Sequence, residues 1–464
     1  MRIRTLASLL TLAAVNAAAM AQATAPAPPA PPANSINIKD AGAVADGKTL
    51  NTEIIQKAID DLAARGGGTL LIPAVKPVPA DAPAPIPQVN GAEVLDGAFL
   101  SGALFLKPGV NVHIEKGAIL KGSTDIKQFP ITETRIEGKV QQWVPALINA
   151  VDCKNLKIDG EGILDGSGTP YYAAFRNAGR EGRGTKNLDT PRPRLLFISK
   201  SDNVTISGLH LFNSGFWNLH LYRATNVTID GLDIQAPRGS PSTDGIDVDS
   251  SQWITIKNTS ISNNDDCIAI KGSKGQDARD DKDSPPDEHI FITNCLFKMG
   301  GSVVTCGSEA TFVRDVKVEN CTVAGPNSGG ITVLRLKLRT DTPQTYEDIH
   351  INNITLDGVG TLIGVAPWSQ YETLQGRPKP AHTVRNISLT NIKGTFGNFG
   401  SVSPAIPADV IERITLENID LKFTNNGTPR LQAVKELTVK NVKINGSEYV
   451  PPAAPQAPTP ATQQ

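Results

Sequence analysis

The chain has 464 residues, with 45 Lys and Arg against 46 Asp and Glu, a net charge of -1; no basic field exists to draw nucleic acid. Glycine is frequent, at 41 residues, and aromatic side chains are few, at 5%, which suits a chain with many turns. The length admits two or three domains, and no stretch approaches the ~20 apolar residues of a membrane span.

Residues 1–21 read as an export signal. Arg2 and Arg4 give the positive start, residues 6–19 the apolar run, and Ala19-Met20-Ala21 the small-x-small pattern before a cut. The protein is therefore expected to be secreted or periplasmic. Residues 22–35 are an Ala/Pro-rich spacer, and residues 451–464 are a Pro/Ala-rich tail expected to be disordered. Residues 36–450 remain for the fold.

The first element of that region is a helix over residues 52–64. Ile54, Ile55, Ala58, Ile59 and Leu62 fall on one face, and Gly66-Gly67-Gly68 ends it before the strand Thr69-Leu-Leu-Ile. Beyond it, one pattern recurs. Asn155-Leu-Lys-Ile-Asp-Gly is followed by Asn203-Val-Thr-Ile-Ser-Gly-Leu-His-Leu, Asn226-Val-Thr-Ile-Asp-Gly-Leu-Asp-Ile and Trp253-Ile-Thr-Ile-Lys-Asn-Thr-Ser-Ile. His289-Ile-Phe-Ile-Thr-Asn, Asp315-Val-Lys-Val-Glu-Asn, Asp348-Ile-His-Ile-Asn-Asn, Arg385-Asn-Ile-Ser-Leu-Thr-Asn, Arg413-Ile-Thr-Leu-Glu-Asn and Glu436-Leu-Thr-Val-Lys-Asn continue it.

Each copy alternates apolar and polar residues, breaks at Asn or Gly, and alternates again. Period two puts one face in and one face out. The break suits a left-handed corner that few other residues tolerate. Short strands with tight corners at a regular repeat bury a core by stacking coil on coil. The expected fold is all-β, a right-handed, single-stranded parallel β-helix, with the helix over residues 52–64 capping its open end. Residues 36–450 then form one domain. Asn203, Asn226, Asn353 and Asn386 lie in N-x-S/T triplets, but their phase with the strands marks them as corner or ladder residues. Cys153, Cys267, Cys295, Cys306 and Cys321 make an odd count and no zinc spacing; they read as small buried side chains.

Candidate chemistry sits on successive coils. Ser242-Thr243-Asp244-Gly245 precedes one strand, and Asp265-Asp266-Cys-Ile-Ala-Ile begins the next. Asp244 should thus lie about one strand spacing from Asp265 and Asp266, and three clustered carboxylates force at least one pKa up. That is how a site obtains a protonated acid beside an ionised base. Arg335 and Lys337 share strand parity and form a candidate grip for an anionic sugar. Asp247 and Asp249 are expected to face solvent or join a ladder, and residues 272–288 to form a solvated corner loop rather than a calcium site.

With these motifs in hand, the chain resembles glycoside hydrolase family 28, the polygalacturonases and related pectin hydrolases. Ser242-Thr-Asp244-Gly matches the family's Asn-Thr-Asp motif with Ser for Asn, Asp265-Asp266-Cys-Ile-Ala-Ile its double-Asp motif, and Arg335-Leu-Lys337 its Arg-Ile-Lys motif. The resemblance implies Asp265 as general acid, Asp244 and Asp266 as holders of the attacking water, and Arg335 and Lys337 as ligands of a galacturonate carboxylate. It implies an inverting hydrolase without metal or cofactor, acting on a pectic polysaccharide or oligogalacturonide.

One departure stands out: counting back from Gly307-Ser308, Ser302 occupies the place of the family's usual His. That keeps a rhamnogalacturonan-type hydrolase open as an alternative. His220 is a candidate subsite residue one coil before Asp244. Trp368 and Tyr371 are candidates for stacking on a sugar ring, and Tyr371 is matched to a late Tyr that the family uses. Long insertions at residues 75–97 and 170–192 would wall off one end of the cleft and favour exo action. A calcium-dependent polysaccharide lyase on the same fold, or a non-catalytic carbohydrate-binding module, are the rival classes. Retention of all three Asp residues argues against the second.

Overall fold

The structure, a computed structural model, describes residues 34–76, 78, 97–184, 186–325, 330–425, 430–431 and 433–451. The expected export signal, nearly all of the two Ala/Pro-rich segments and most of the 75–97 insertion lie outside the described residues. Ser35, assigned above to the spacer, already belongs to a strand, Ser35–Asn37, that pairs in parallel with Gly68–Ile72.

The repeat folds as a parallel β-helix. On one face a ten-stranded sheet stacks in chain order. Its middle strands are Leu196–Ser199, Leu219–Tyr222, Ile246–Asp249, Ile268–Lys271, Ser302–Cys306, Ile331–Arg339 and Gly360–Trp368. Register carries the apolar period straight up the stack: Leu196, Leu219, Ile246, Ile268, Val304, Leu334 and Ile363 are successive partners, all buried. On the other face Val204, Val227, Ile254, Ile290, Val316, Ile349, Ile387 and Ile414 stack likewise. The two inward columns form one continuous core, so each coil is stabilised by its neighbours rather than by itself.

The corners explain the Asn pattern. Asn203, Asn226, Trp253, His289, Asp315, Asp348, Asn386, Arg413 and Glu436 all have φ between +50° and +60°. That left-handed turn costs a non-Gly residue about 1–2 kcal/mol, and ladder hydrogen bonds offset it. Asn226 Nδ2 donates to Asp202 Oδ1 at 2.8 Å and Asn386 Nδ2 to Asp348 Oδ1 at 2.8 Å. Asn353, at φ +52°, does the same at a second corner, donating to Asn320 Oδ1 at 2.7 Å. The five cysteines are free and buried.

Helix α1, Thr52–Ala64, forms over the expected span and buries Ile55, Ala58, Ile59 and Leu62 against the end of the solenoid. The chain must then turn sharply into the first coil. Gly68, at φ +149°, does this where a Cβ would meet the Asn34 carbonyl at 2.4 Å. The 170–192 insertion differs from a simple loop: helix α2, Gly168–Arg180, occupies half of it. An antiparallel hairpin, Thr132–Ile136 with Lys139–Trp143, also leaves the repeat and folds back over the ten-stranded sheet.

Candidate active site

Outward-facing side chains of the ten-stranded sheet build the site. Asp244 ends the turn before strand Ile246–Asp249, and Asp265-Asp266 end the turn before Ile268–Lys271. The turns are locked together: Gly245 N–H donates to the Asp266 carbonyl at 3.0 Å. The buried amide of Asn263 donates to the carbonyls of Thr243 at 2.8 Å and Asp266 at 2.9 Å. As a result one oxygen from each of Asp244, Asp265 and Asp266 lies within 4.8 Å of the others.

Their surroundings separate them. Asp266 is buried, and both of its oxygens are taken. Oδ1 accepts from Ser302 Oγ at 2.8 Å and Arg335 NH1 at 3.3 Å, and Oδ2 from Lys337 Nζ at 2.7 Å. Although burial disfavours its charge, Lys337 and Arg335 hold it well below the usual carboxylate range. Asp244, also buried, is pushed up to about 7 by burial and by the Asp265 charge, with Lys271 opposing. Asp265 is raised by burial and then by Asp266. It keeps partial exposure, so it is the carboxyl that an incoming ligand meets first. The arrangement sets one carboxyl with a lowered pKa beside two with raised ones, the kind of separation that acid–base chemistry requires.

Arg335 and Lys337 project from one strand, Ile331–Arg339, as parity demands. Arg335 is 29% exposed at its side chain and is further held by the Gly301 carbonyl at 2.7 Å. Gly301 sits where a Cβ would lie 3.2 Å from Asp266 Oδ1 and 3.3 Å from Arg335 NH1, so bulk there would disturb both. The aromatic ring over Lys337 is that of Trp368, at 4.6 Å from its Nζ.

Several expected site residues fall elsewhere. Ser302 is fully buried behind Asp266, to which it donates, and also bonds Thr305; it is a support of that carboxylate, not a contact for substrate. His220 does face outward from its strand, but it is fully buried under the 132–143 hairpin and its neighbours, so it does not line the cleft. Its Nδ1 accepts from Arg194 at 2.7 Å, its Nε2 lies 3.4 Å from Asp249, and burial pushes it down to about 3, leaving it neutral. Tyr371 is partly exposed beyond the end of the Gly360–Trp368 strand, with its backbone carbonyl held by Arg339 at 3.0 Å.

Asp247 and Asp249 correct the expectation of solvent exposure: both are fully buried. They point outward, but the hairpin covers them. Arg135 grips Asp249 through Nε at 2.9 Å and NH2 at 3.1 Å, and Lys271 lies 3.4 Å from Asp247.

The site residue that motif reading missed is Lys271. It is buried, 3.4 Å from Asp244, and sits over Trp217 at 4.6 Å. Its signal was present in Cys267-Ile-Ala-Ile-Lys271: the alternation puts Lys271 on the outward face, in register with Asp249.

A solenoid bearing converged carboxylates, one of them partly open to solvent, beside two cations is an arrangement suited to acid–base chemistry. The family model for glycosyl hydrolases family 28 matches residues 108–442. The chain belongs to that family and is a glycoside hydrolase. It is 28% identical over 411 residues to an exopolygalacturonase of Zea mays, covering 85% of each chain. To a polygalacturonase of Medicago sativa it is 30% identical, covering 65% of this chain and 68% of that one. Among solved structures, the hyperthermoactive exopolygalacturonase of Thermotoga maritima superposes with a TM-score of 0.71 at 22% identity, over 91% of this chain and 94% of that one. The polygalacturonase of Erwinia carotovora gives 0.62 at 23%, over 91% and 99%. These structural likenesses establish the right-handed β-helix.

Proposed function

We propose that the protein hydrolyses galacturonosyl linkages of a pectic polysaccharide, releasing units from a chain end by an inverting, two-carboxylate mechanism. The observation that carries this is the partly exposed Arg335 guanidinium, beside the carboxylates and on their open side. A fork of donors there suits the carboxylate of an acidic sugar, and relatives named exopolygalacturonase point to the same substrate class. The leader over residues 1–21 fits action outside the cytoplasm.

In this mechanism Asp265 gives its proton to the leaving glycosidic oxygen as the bond from the anomeric carbon breaks. A water held at Asp244 and Asp266 attacks that carbon from the opposite face, and Asp244 receives its proton. The carboxylate oxygens stand within 4.8 Å, nearer the ~5–5.5 Å spacing of retaining enzymes than the ~6.5–9.5 Å of inverting ones. Inversion is taken from the family resemblance; of the three carboxylates Asp266, both of whose oxygens are bonded, is the least available as a nucleophile.

Exo action is supported by the roof on one side. Outward residues of the coils before Asp244, namely Phe197, His220 and Tyr222, are buried beneath Arg194 and Arg135. At the hairpin tip, Glu137 lies 3.6 Å from Lys274. On the other side Ala366 is exposed and Trp368 partly so. Among the described residues, a polymer lying across these strands meets the roof in one direction and open strand ends in the other.

Hydrolysis of the rhamnose-containing backbone is the second reading, favoured by Ser302 in the place of the usual His. Incubation with polygalacturonan and with rhamnogalacturonan, with products identified by mass, separates the two. Galacturonate monomer or dimer from polygalacturonan from the earliest times supports exo action. A ladder of long oligomers contradicts it, and products from rhamnogalacturonan alone favour the second reading.

A further inference from the structure

Lys271 is a buried cation that the two-carboxylate mechanism, as set out above, does not use. It closes the strand Ile268–Lys271, and its Nζ lies 3.4 Å from Asp244 Oδ2 and 3.4 Å from Asp247 Oδ1. Trp217 covers it at 4.6 Å, which excludes water and strengthens its field. Asp249, its register partner, is engaged by Arg135, so Lys271 is directed at Asp244 and Asp247.

Asp265 has no such partner. Among the described residues it has no ion pair, and its Oδ1 accepts the backbone N–H of Asp266. The two carboxyls that must differ in protonation differ in exposure and in their nearest cation: a buried ammonium lies 3.4 Å from Asp244, whereas Asp265 keeps partial exposure and has no ion pair among the described residues.

We propose that Lys271 is a positioning residue that decides which of these two carboxyls keeps the shared proton. Paired with Asp244, it offsets the burial and the neighbouring Asp265 charge that favour the neutral form of Asp244, and so favours Asp244 as the carboxylate that receives the proton of water, with the proton left on Asp265, the donor to the leaving oxygen. This rests on the two-carboxylate reading above.

Lys337, from its seat on Asp266, works against this choice: it favours the ionised form of both carboxyls and is the leading cation at Asp265, where Lys271 follows it. Arg192, on the far side, feels both carboxyls as well. Glu309 and Glu137 face Lys271 from the hairpin side and favour its charged form, as Asp247 and Asp266 do. Asp247 lies equally near the ammonium, at 3.4 Å, but burial raises its pKa further than that of Asp244, so of the two Asp244 is the readier partner.

The test begins with the native protein. Its Asp residues are labelled with 13C at the side-chain carboxyl, and signals are assigned by loss in Asp244→Asn and Asp265→Asn. Asp244 should ionise at lower pH than Asp265; the reverse order overturns the proposal, whatever any further variant does. In Lys271→Gln, removing the cation should raise the pKa of Asp244 by about 1–3 units, the usual effect of one close opposite charge. The order should then merge or invert.

The acidic limb of kcat/KM, which needs Asp244 ionised, should move to higher pH by a similar amount, with part of the activity recovered under alkaline conditions. Lys271→Arg, which keeps the charge, should leave the limb in place. A folded Lys271→Gln with an unmoved limb and unmoved Asp244 titration would make Lys271 merely structural. Absence of hydrolysis by the native chain would remove the reaction and the proposal together, whereas native hydrolysis with an unmoved limb overturns the proposal alone.

Discussion

Lys337 Nζ lies 2.7 Å from Asp266 Oδ2, so a residue placed to grip an anionic substrate is also the counter-ion of a carboxylate at the reacting centre. Arg335 shares the task at 3.3 Å but keeps 29% of its side chain exposed, whereas Lys337 keeps 10%. The two cations are therefore not equivalent, although sequence parity treats them alike.

Their variants should differ accordingly. Arg335→Ala should cost about 2–4 kcal/mol of transition-state stabilisation on acidic substrates, the scale of a lost charge-assisted contact, and much less on neutral ones. Lys337→Ala should lower kcat on both, because Asp266 loses its main partner. Steady-state kinetics on a galacturonide and a neutral aryl glycoside measure the contrast; equal behaviour of the two variants refutes it.

Asp265→Asn removes the proton while nearly preserving shape. The fold should hold, and turnover should fall by at least the ~10²–10⁴-fold typical of a lost general acid. A substrate whose leaving group needs no protonation should be partly spared. Asp244→Asn and Asp266→Asn should show no such rescue. If the good leaving group restores Asp266→Asn instead, the acid has been assigned to the wrong residue.

The hairpin is held by a buried ion pair, Arg135 with Asp249, with side chains 1% and 0% exposed. Arg135→Ala would leave Asp249 charged and unpaired, and breaking such a pair costs about 3–5 kcal/mol. A denaturant titration should show that loss. A change within 0.5 kcal/mol would mean that the hairpin is not fastened there.

His220 makes stability depend on pH. Its folded-state pKa is depressed from 6.5 to about 3, so the unfolded chain takes up a proton that the folded one refuses. The contribution is complete above 6.5 and is lost as pH falls from there towards 3. Melting temperature should decline over that window, and His220→Gln should decline less steeply than the native chain. Parallel curves for the two proteins would show that His220 is protonated inside the fold.

Much of the fold was legible in the sequence because a solenoid repeats one local rule. Asn203, Asn226, Asn353 and Asn386 mark corners through their own backbone preference. The alternating residues after them take opposite faces whatever lies far away. Asp244, Asp265 and Asp266 were legible for the same reason, since one coil returns the chain to one strand spacing.

Burial imposed from outside the repeat was not legible. Asp247, Asp249 and His220 face outward as parity requires, yet the hairpin and Arg194 cover them. Nothing local in Thr132–Trp143 announces where that hairpin will lie. Ser302 was visible as a departure from the family, but that its hydroxyl supports Asp266 depends on a contact across coils.

The configuration of the first product tests the central claim most directly. Polygalacturonate is digested in buffer with EDTA, and the newly formed reducing end is followed by proton NMR before mutarotation. The account predicts saturated product with the anomeric configuration opposite to that of the bond cleaved, formed undiminished with the chelator present. Retained configuration would turn one of the three carboxylates into a nucleophile, and ultraviolet-absorbing unsaturated ends that require calcium would contradict hydrolysis itself.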